Sequence, residues 1–320
     1  MLLQIFFLLA GLALVVFGAD YLVEGASGIA RRFGLSEFVI GLTIVGMGTS
    51  APEMVVSFIG AVQGNSSISL GNVVGSNIFN TLLILGLTAV ILPITITADN
   101  RRKDIPVNLL VTVLLIVLGL GYTLFGLGTE DGLSRLDGGI LVALFLLYMV
   151  LSFVKGKETE ASSEGPVKEL KPVLALAMIV GGLAALVYGG NLFVDAATYI
   201  AREQGVSDKF IAITLLAGGT SMPELATCVA AAVKKKGQLA LGNIIGSNVF
   251  NILLILGGSA LIHPLSFGQI SYVDLAAILS SAVALFLSCY FGKKGLLDRA
   301  EGVFFLLLWV AYMVYLIINL

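Results

Sequence analysis

Gly48-Thr49-Ser50-Ala51-Pro52-Glu53 sits inside an apolar stretch from about 38 to 62, and it returns as Gly219-Thr220-Ser221-Met222-Pro223-Glu224 inside a second one, about 210 to 233. Either stretch can cross a bilayer, which takes about 20 residues. An ionisable side chain at membrane depth costs roughly 2.5–3.5 kcal/mol on insertion scales and turns toward a pathway or a partner rather than lipid. Glu53 and Glu224 are therefore the first functional candidates. The offset between them, 171 residues, also carries Gly11 to Gly182, Gly18 to Gly189, Glu24 to Asp195, Arg31 to Arg202, Gly34 to Gly205, Asn80 to Asn251 and Pro93 to Pro264. The chain is a tandem duplication.

Composition gives the class. Of 320 residues 58% are hydrophobic and 12% charged, against about 25% charged in a soluble domain, and the mean hydropathy is +1.03. This is a multi-pass integral membrane protein whose main partner is the lipid bilayer. A net charge of −2 supplies no basic field for nucleic acid. Cys228 and Cys289 fall in apolar runs without metal-type spacing and read as small buried side chains. His263, beside Pro264, reads as a turn residue, and no feature of the sequence sets an oligomeric state.

Apolar runs bounded by charges, Gly and Pro predict ten spans, at about 2–22, 38–62, 68–92, 105–125, 137–154, 172–193, 210–233, 239–262, 272–291 and 297–318. Fifteen of the eighteen Lys and Arg fall in connections after odd-numbered spans. The positive-inside rule then puts both termini outside the cytoplasm. The expected fold is an all-α membrane protein of ten transmembrane helices in two five-helix repeats, residues 1–154 and 172–320, joined by a cytoplasmic linker at 155–171. Because five is odd, the second repeat enters from the opposite side, an inverted-topology arrangement common in secondary transporters.

A second polar motif lies in the third span of each repeat: Gly71-Asn72-Val73-Val74-Gly75-Ser76-Asn77-Ile78-Phe79-Asn80 and Gly242-Asn243-Ile244-Ile245-Gly246-Ser247-Asn248-Val249-Phe250-Asn251. On a helix Asn72, Ser76 and Asn80 share one face. Thr49 and Ser50 stand four and three residues before Glu53, within reach of the same point. Oxygen-rich ligand sets without sulfur or imidazole suit Ca²⁺ and Na⁺. Pro52 and Pro223 each remove a helical hydrogen bond, which predicts a local break near Gly48 and Gly219 that frees carbonyl oxygens. Hydroxyls and amides in membrane helices also serve as interhelical glue. A buried glutamate could instead pair with a base, but the interiors of these four spans hold no Lys, Arg or His. Two adjacent carboxylates without a protein cation repel and take up a proton, so a cation or proton must supply the missing charge. Asp20, Glu24 and Asp195 read as solvated carboxylates near helix ends, the latter two open to an entrance role. The glycines seven apart in spans one and six make a smooth stripe suited to packing or sliding.

The paired motifs resemble the two alpha repeats of the cation/calcium exchanger superfamily, of the prokaryotic sodium/calcium exchanger type, over essentially the whole chain. The resemblance implies ten helices in inverted halves, in a prokaryotic inner membrane, and Na⁺/Ca²⁺ antiport by alternating access with no cofactor and no enzymatic activity. It implies Ca²⁺ ligation by Glu53 and Glu224 with carbonyls at Thr49 and Thr220. It implies Na⁺ sites that add Ser50, Ser221, Ser76, Ser247 and the carbonyls of Gly46 and Ala217, with Asn72, Asn243, Asn77 and Asn248 as secondary candidates. Many members carry Asp at one of the positions of Asn80 and Asn251; Asn at both weakens the likeness to potassium-dependent members. A Ca²⁺/H⁺ antiporter is the alternative on the same scaffold, and a cation channel or an intramembrane hydrolase would belong to other classes.

Overall fold

The computed structural model describes residues 2–126, 130–155, 170–205, 217–268, 270–291 and 295–319. Residues 156–169 of the predicted linker and the beginning of predicted span seven lie outside them. Eleven helices carry the architecture. They are α1 (Leu2–Phe33), α2 (Glu37–Thr49), α3 (Ala51–Val62), α4 (Ser66–Ile91), α5 (Ile105–Gly119), α6 (Arg135–Lys155), α7 (Pro172–Glu203), α8 (Met222–Val233), α9 (Gly237–Ile262), α10 (Tyr272–Ser288) and α11 (Arg299–Ile318). Among the described residues six helices are long and apolar enough to cross a membrane, or seven if α2 and α3, bent by 48°, form one broken span.

Burial ranks the helices from centre to rim. The most apolar window of α9 is 94% buried and that of α4 67%, against 22% in α1 and 11% in α11. Helices α4 and α9 therefore form the centre, and α9 packs on α2 and α8. The outer faces of α1 and α11 present Phe6, Leu9, Phe17, Phe304, Leu307 and Val314, an apolar surface that only lipid covers favourably. Small residues set the close contacts. A Cβ at Gly86 would meet Gly302 O at 3.0 Å, and one at Gly138 would meet Gly257 O at 2.6 Å. Each crossing brings the fifth predicted span of one repeat onto the third of the other.

Helices α1 and α7 lie along one another with their glycines opposed. A Cβ on Gly11 would meet Gly189 O at 2.8 Å, one on Gly18 would meet Gly182 O at 2.9 Å, and one on Gly25 would meet Ala175 O at 2.7 Å. As numbers rise on one helix they fall on the other, so the pair is antiparallel. Its seam is backbone against backbone, which only glycine permits.

Three expectations need correction. Helices α1 and α7 continue to Phe33 and Glu203, about ten residues past the apolar runs that ended at 22 and 193. Hydropathy marks where the bilayer ends, whereas a helix continues until its carbonyls find other donors. Arg31 and Arg32 in the last turn of α1 complement its C-terminal dipole. Asp20 and Glu24 consequently lie inside a helix, and they are not simply solvated: Lys234 Nζ reaches Asp20 Oδ1 at 2.6 Å and Glu24 Oε1 at 3.0 Å. The chain is also not purely helical. Ile94–Thr95 pairs antiparallel with Leu296–Leu297, and Gly132–Leu133 with Leu265–Ser266. Pro93 and Pro264 stop α4 and α9 and force the preceding residue out of helical geometry, leaving the next two extended and free to pair.

The α1–α7 seam supplies a test with an internal control. Gly182→Val would put its Cβ 2.7 Å from Gly18 O and 2.8 Å from Leu22 N, whereas nothing lies within 4 Å of a Cβ on neighbouring Gly181. Overpacking of this kind costs about 1–3 kcal/mol. Gly182→Val is expected to lower the melting temperature of the purified protein and Gly181→Val to leave it unchanged; equal effects would show that the seam is loose.

Candidate ion-binding site

Ser50 and Ser221 are the hinges of the site. Each interrupts helical backbone with near-identical torsions, φ −81°, ψ 9° at Ser50 and φ −87°, ψ 9° at Ser221. Pro52 and Pro223 then fall in the first turn of α3 and α8, where a missing N–H removes no intrahelical bond. The break expected near Gly48 is therefore present at Ser50, and Gly219 ends the short turn Ala217–Gly219 in the same way. Glu53 and Glu224 occupy the first turns of the new helices, where the dipole favours negative charge.

Each carboxylate is held by the other repeat. Ser221 Oγ donates to Glu53 Oε1 at 2.9 Å, and Ser50 Oγ donates to Glu224 Oε1 at 2.8 Å. The third helices add longer bonds, Ser76 Oγ to Glu53 Oε1 at 3.4 Å and Ser247 Oγ to Glu224 Oε1 at 3.3 Å. Ser247 Oγ also lies 3.2 Å from Gly46 O. Both glutamates are fully buried, and among the described residues no ion pair reaches either. Only Oε1 is satisfied on each: Glu53 Oε2, Glu224 Oε2, Asn80 Oδ1 and Asn251 Oδ1 are all buried without a hydrogen-bond partner. Native interiors leave few such atoms. Others lie elsewhere in the molecule, but these four form two pairs related by the repeat, each atom an acceptor oxygen on a carboxylate or an amide.

A second ring orients this set. Thr49 Oγ1 lies 3.1 Å from Asn243 Oδ1, and Asn243 Nδ2 reaches Cys228 Sγ at 3.3 Å. In the other half Thr220 Oγ1 lies 3.4 Å from Asn72 Oδ1, and Asn72 Nδ2 donates to Ser57 Oγ at 2.9 Å and Glu53 O at 3.0 Å. Asn77 and Asn248 bond across the repeats to each other and to Asn251, Asn80 and Thr81. Asn80 is the second residue of a π-helical turn, Phe79–Ile84, that is matched by Asn251–Leu256, and with its Nδ2 on Asn248 Oδ1 its own Oδ1 is left without a partner. Of the candidates from sequence, Ser50, Ser221, Ser76, Ser247 and Gly46 gather on the glutamates. Ala217 lies in the turn before Thr220. Ser57, Cys228 and Thr81 were missed, although the 171-residue offset already relates Ser57 to Cys228.

Among the described residues no group of three or more His, Cys, Asp and Glu could hold a metal ion. The donors are two carboxylates and neutral oxygens, a set that fits a hard cation such as Ca²⁺ or Na⁺ and does not fit Zn²⁺.

The family described as sodium/calcium exchanger protein matches residues 3–154 and 174–318. The chain belongs to the sodium/calcium exchanger family. It is similar to the sodium/calcium exchanger MaX1 of Methanosarcina acetivorans, at 34% identity over 97% of both chains. It is also similar to the inner membrane protein YrbG of Escherichia coli, at 37% identity over 91% of this chain and 90% of that one. Among solved structures, the sodium-calcium exchanger NCX_Mj soaked with Na⁺ and Ca²⁺ superposes with a TM-score of 0.83 at 33% identity over 98% of both chains. The family consists of membrane antiporters that exchange cations and is not an enzyme class.

For this exchanger the orphan oxygens give a direct prediction. Breaking compensation of a buried charge costs about 3–5 kcal/mol. In chelator and choline at alkaline pH, Glu53→Gln combined with Glu224→Gln is expected to raise the melting temperature above wild type. An unchanged or lower value would mean that the carboxylates are compensated by the protein.

Proposed function

We propose that the exchanger moves Ca²⁺ against Na⁺ across the membrane, with both ions competing for one site between the repeats. The observation that carries this reading is the set of four buried, unpartnered oxygens on Glu53, Glu224, Asn80 and Asn251, two from each repeat. Two carboxylates give the site a formal charge of −2, which one Ca²⁺ neutralises. The carbonyls at Thr49, Thr220, Gly46 and Ala217 and the hydroxyls of Ser50, Ser221, Ser76 and Ser247 complete the shells of the competing ions. Asn72, Asn243, Asn77 and Asn248 stand behind them. Asn at both 80 and 251 argues against a K⁺ requirement.

We further infer ten transmembrane helices in two inverted repeats, 1–154 and 172–320, joined by a cytoplasmic linker at 155–171, with both termini outside the cytoplasm of a prokaryotic inner membrane. Reciprocity supports the inversion: Gly11 meets Gly189, the equivalent of Gly18, while Gly18 meets Gly182, the equivalent of Gly11. This is the pattern of a two-fold axis. Alternating access in this reading uses the α1–α7 seam, where helices that meet backbone to backbone shift along one another to open the site to either side.

The empty carrier resists crossing because two uncompensated buried carboxylates cost several kcal/mol, and that resistance is what makes transport an exchange. If more than two Na⁺ return for one Ca²⁺, net charge moves and couples to voltage at about 2.3 kcal/mol per charge per 100 mV. Labelled Ca²⁺ uptake into proteoliposomes is expected to require an outward Na⁺ gradient and to be lost in Glu53→Gln and in Glu224→Gln. Uptake that ignores Na⁺ and follows a pH gradient would replace this reading with Ca²⁺/H⁺ antiport.

A further inference from the structure

The direction in which an asparagine amide points decides whether a cation meets a carbonyl oxygen or an amino group. Asn77 Nδ2 donates to the backbone carbonyl of Asn248 at 3.1 Å. A backbone carbonyl only accepts, so this contact permits Asn77 one orientation, with Oδ1 on its other side. That Oδ1 receives Asn251 Nδ2 at 2.9 Å. An acceptor there again permits one orientation, leaving Asn251 Oδ1 buried and unpartnered. Backbone polarity is thus passed through one amide to the next.

The equivalent chain in the other direction ends differently. Asn80 Nδ2 donates to Asn248 Oδ1 at 3.2 Å, and Asn248 Nδ2 donates to Thr81 Oγ1 at 2.9 Å. A hydroxyl both donates and accepts, so this chain ends on a group that can reverse. Its counterpart by the repeat offset is Ile252, which has no polar atom to offer.

We propose that Asn77 is a positioning residue: it never touches the cation, but fixes Asn251 with its oxygen toward the site. The inference rests on the proposed role of the orphan oxygens as cation ligands. It also separates Asn77, whose two polar atoms are both engaged by protein, from the ligands proper.

The test compares Asn77→Leu, Asn77→Asp, Asn251→Ala and Asn77→Leu combined with Asn251→Ala in the purified full chain. Two readouts are used, Ca²⁺-dependent thermal stabilisation and the KM for labelled Ca²⁺ uptake. Leu removes both contacts and lets Asn251 turn, so Ca²⁺ binding is expected to weaken about tenfold. Asp keeps an acceptor for Asn251 Nδ2 and is expected to bind Ca²⁺ at least as tightly as wild type, although it can no longer donate to Asn248 O. A residue acting only as interhelical glue would lose the same donor in both variants and suffer equally in both. The double variant is expected to be no weaker than Asn251→Ala alone, because Asn77 acts only through Asn251. Independent, additive losses overturn the inference, as does an Asp variant as weak as Asn251→Ala, a comparison that stands even if the Leu variant does not fold. Wild-type protein that responds to neither Ca²⁺ nor Na⁺ overturns the ligand reading as well, which tells the two failures apart.

Discussion

Two carboxylates buried at the centre of the molecule face no lysine, arginine or histidine among the described residues, and each has one oxygen bound by a serine of the opposite repeat and one oxygen bound by nothing. Hydrogen bonds from hydroxyls lower the cost of burying such a charge without cancelling it. The shortfall must be met from outside the protein, and that requirement gives the rest of the fold its purpose. A base close to Glu53 or Glu224 would make the apo protein more comfortable and remove its need for an ion. Among the described residues no lysine, arginine or histidine pairs with either glutamate, so their charge is left to be balanced by an ion or a proton.

The fold answers this requirement with backbone geometry before side-chain chemistry. A serine at each helix break sends its hydroxyl across to the other repeat where the backbone torsions leave helical values, while Ser50 N–H still donates to Gly46 O at 3.1 Å. The proline two residues on is tolerated because it begins a new helix, and the glutamate after it sits at the favourable end of that helix's dipole. In the third helices π-helical turns at Phe79–Ile84 and Asn251–Leu256 hold the asparagines that bond across the repeats, Asn80 to Asn248 and Asn251 to Asn77. π-helical turns inside α-helices recur at functional positions, and here both begin within one residue of an orphan amide.

Much of this is legible in the sequence. Glu53 and Glu224 announce themselves by charge in apolar surroundings, the prolines announce the breaks, and the 171-residue offset turns every feature into a pair. What stayed hidden shares one cause. The ends of α1 and α7, the two-residue strands, the π-helical turns and the Lys234 ion pairs all depend on which backbone or side-chain group lies opposite, and neither hydropathy nor a fixed helical period carries that information. Ser57, Cys228 and Thr81 were overlooked for a related reason: a small polar residue in a membrane helix looks the same whether it holds an asparagine or faces nothing.

Two of the interfaces that join the repeats differ in kind, and under the proposed alternating access the difference separates what would move from what would stay. At the centre, Asn77, Asn80, Asn248, Asn251 and Thr81 stitch α4 to α9 with directional bonds that a shift of an ångström would break. Between α1 and α7 the seam is glycine on carbonyl, with dispersion forces that change little as one helix slips along the other. The duplication is nevertheless not symmetric at its ends. Lys234 and Lys236 approach Asp20 and Glu24 at one end, while the equivalent positions at the other hold Gln63, Asn65, Asn191 and Asp195. Burial holds the Lys236 ammonium below its ordinary pKa, against the pull of Glu24. Ion pairs with one partner exposed contribute about 0.2–1 kcal/mol each, so under the proposed alternating access they would bias this end toward the closed state by an amount that ion binding at the centre can overcome. Larger stabilisation would trap α1 on one side; none would leave the direction of opening to the ions alone.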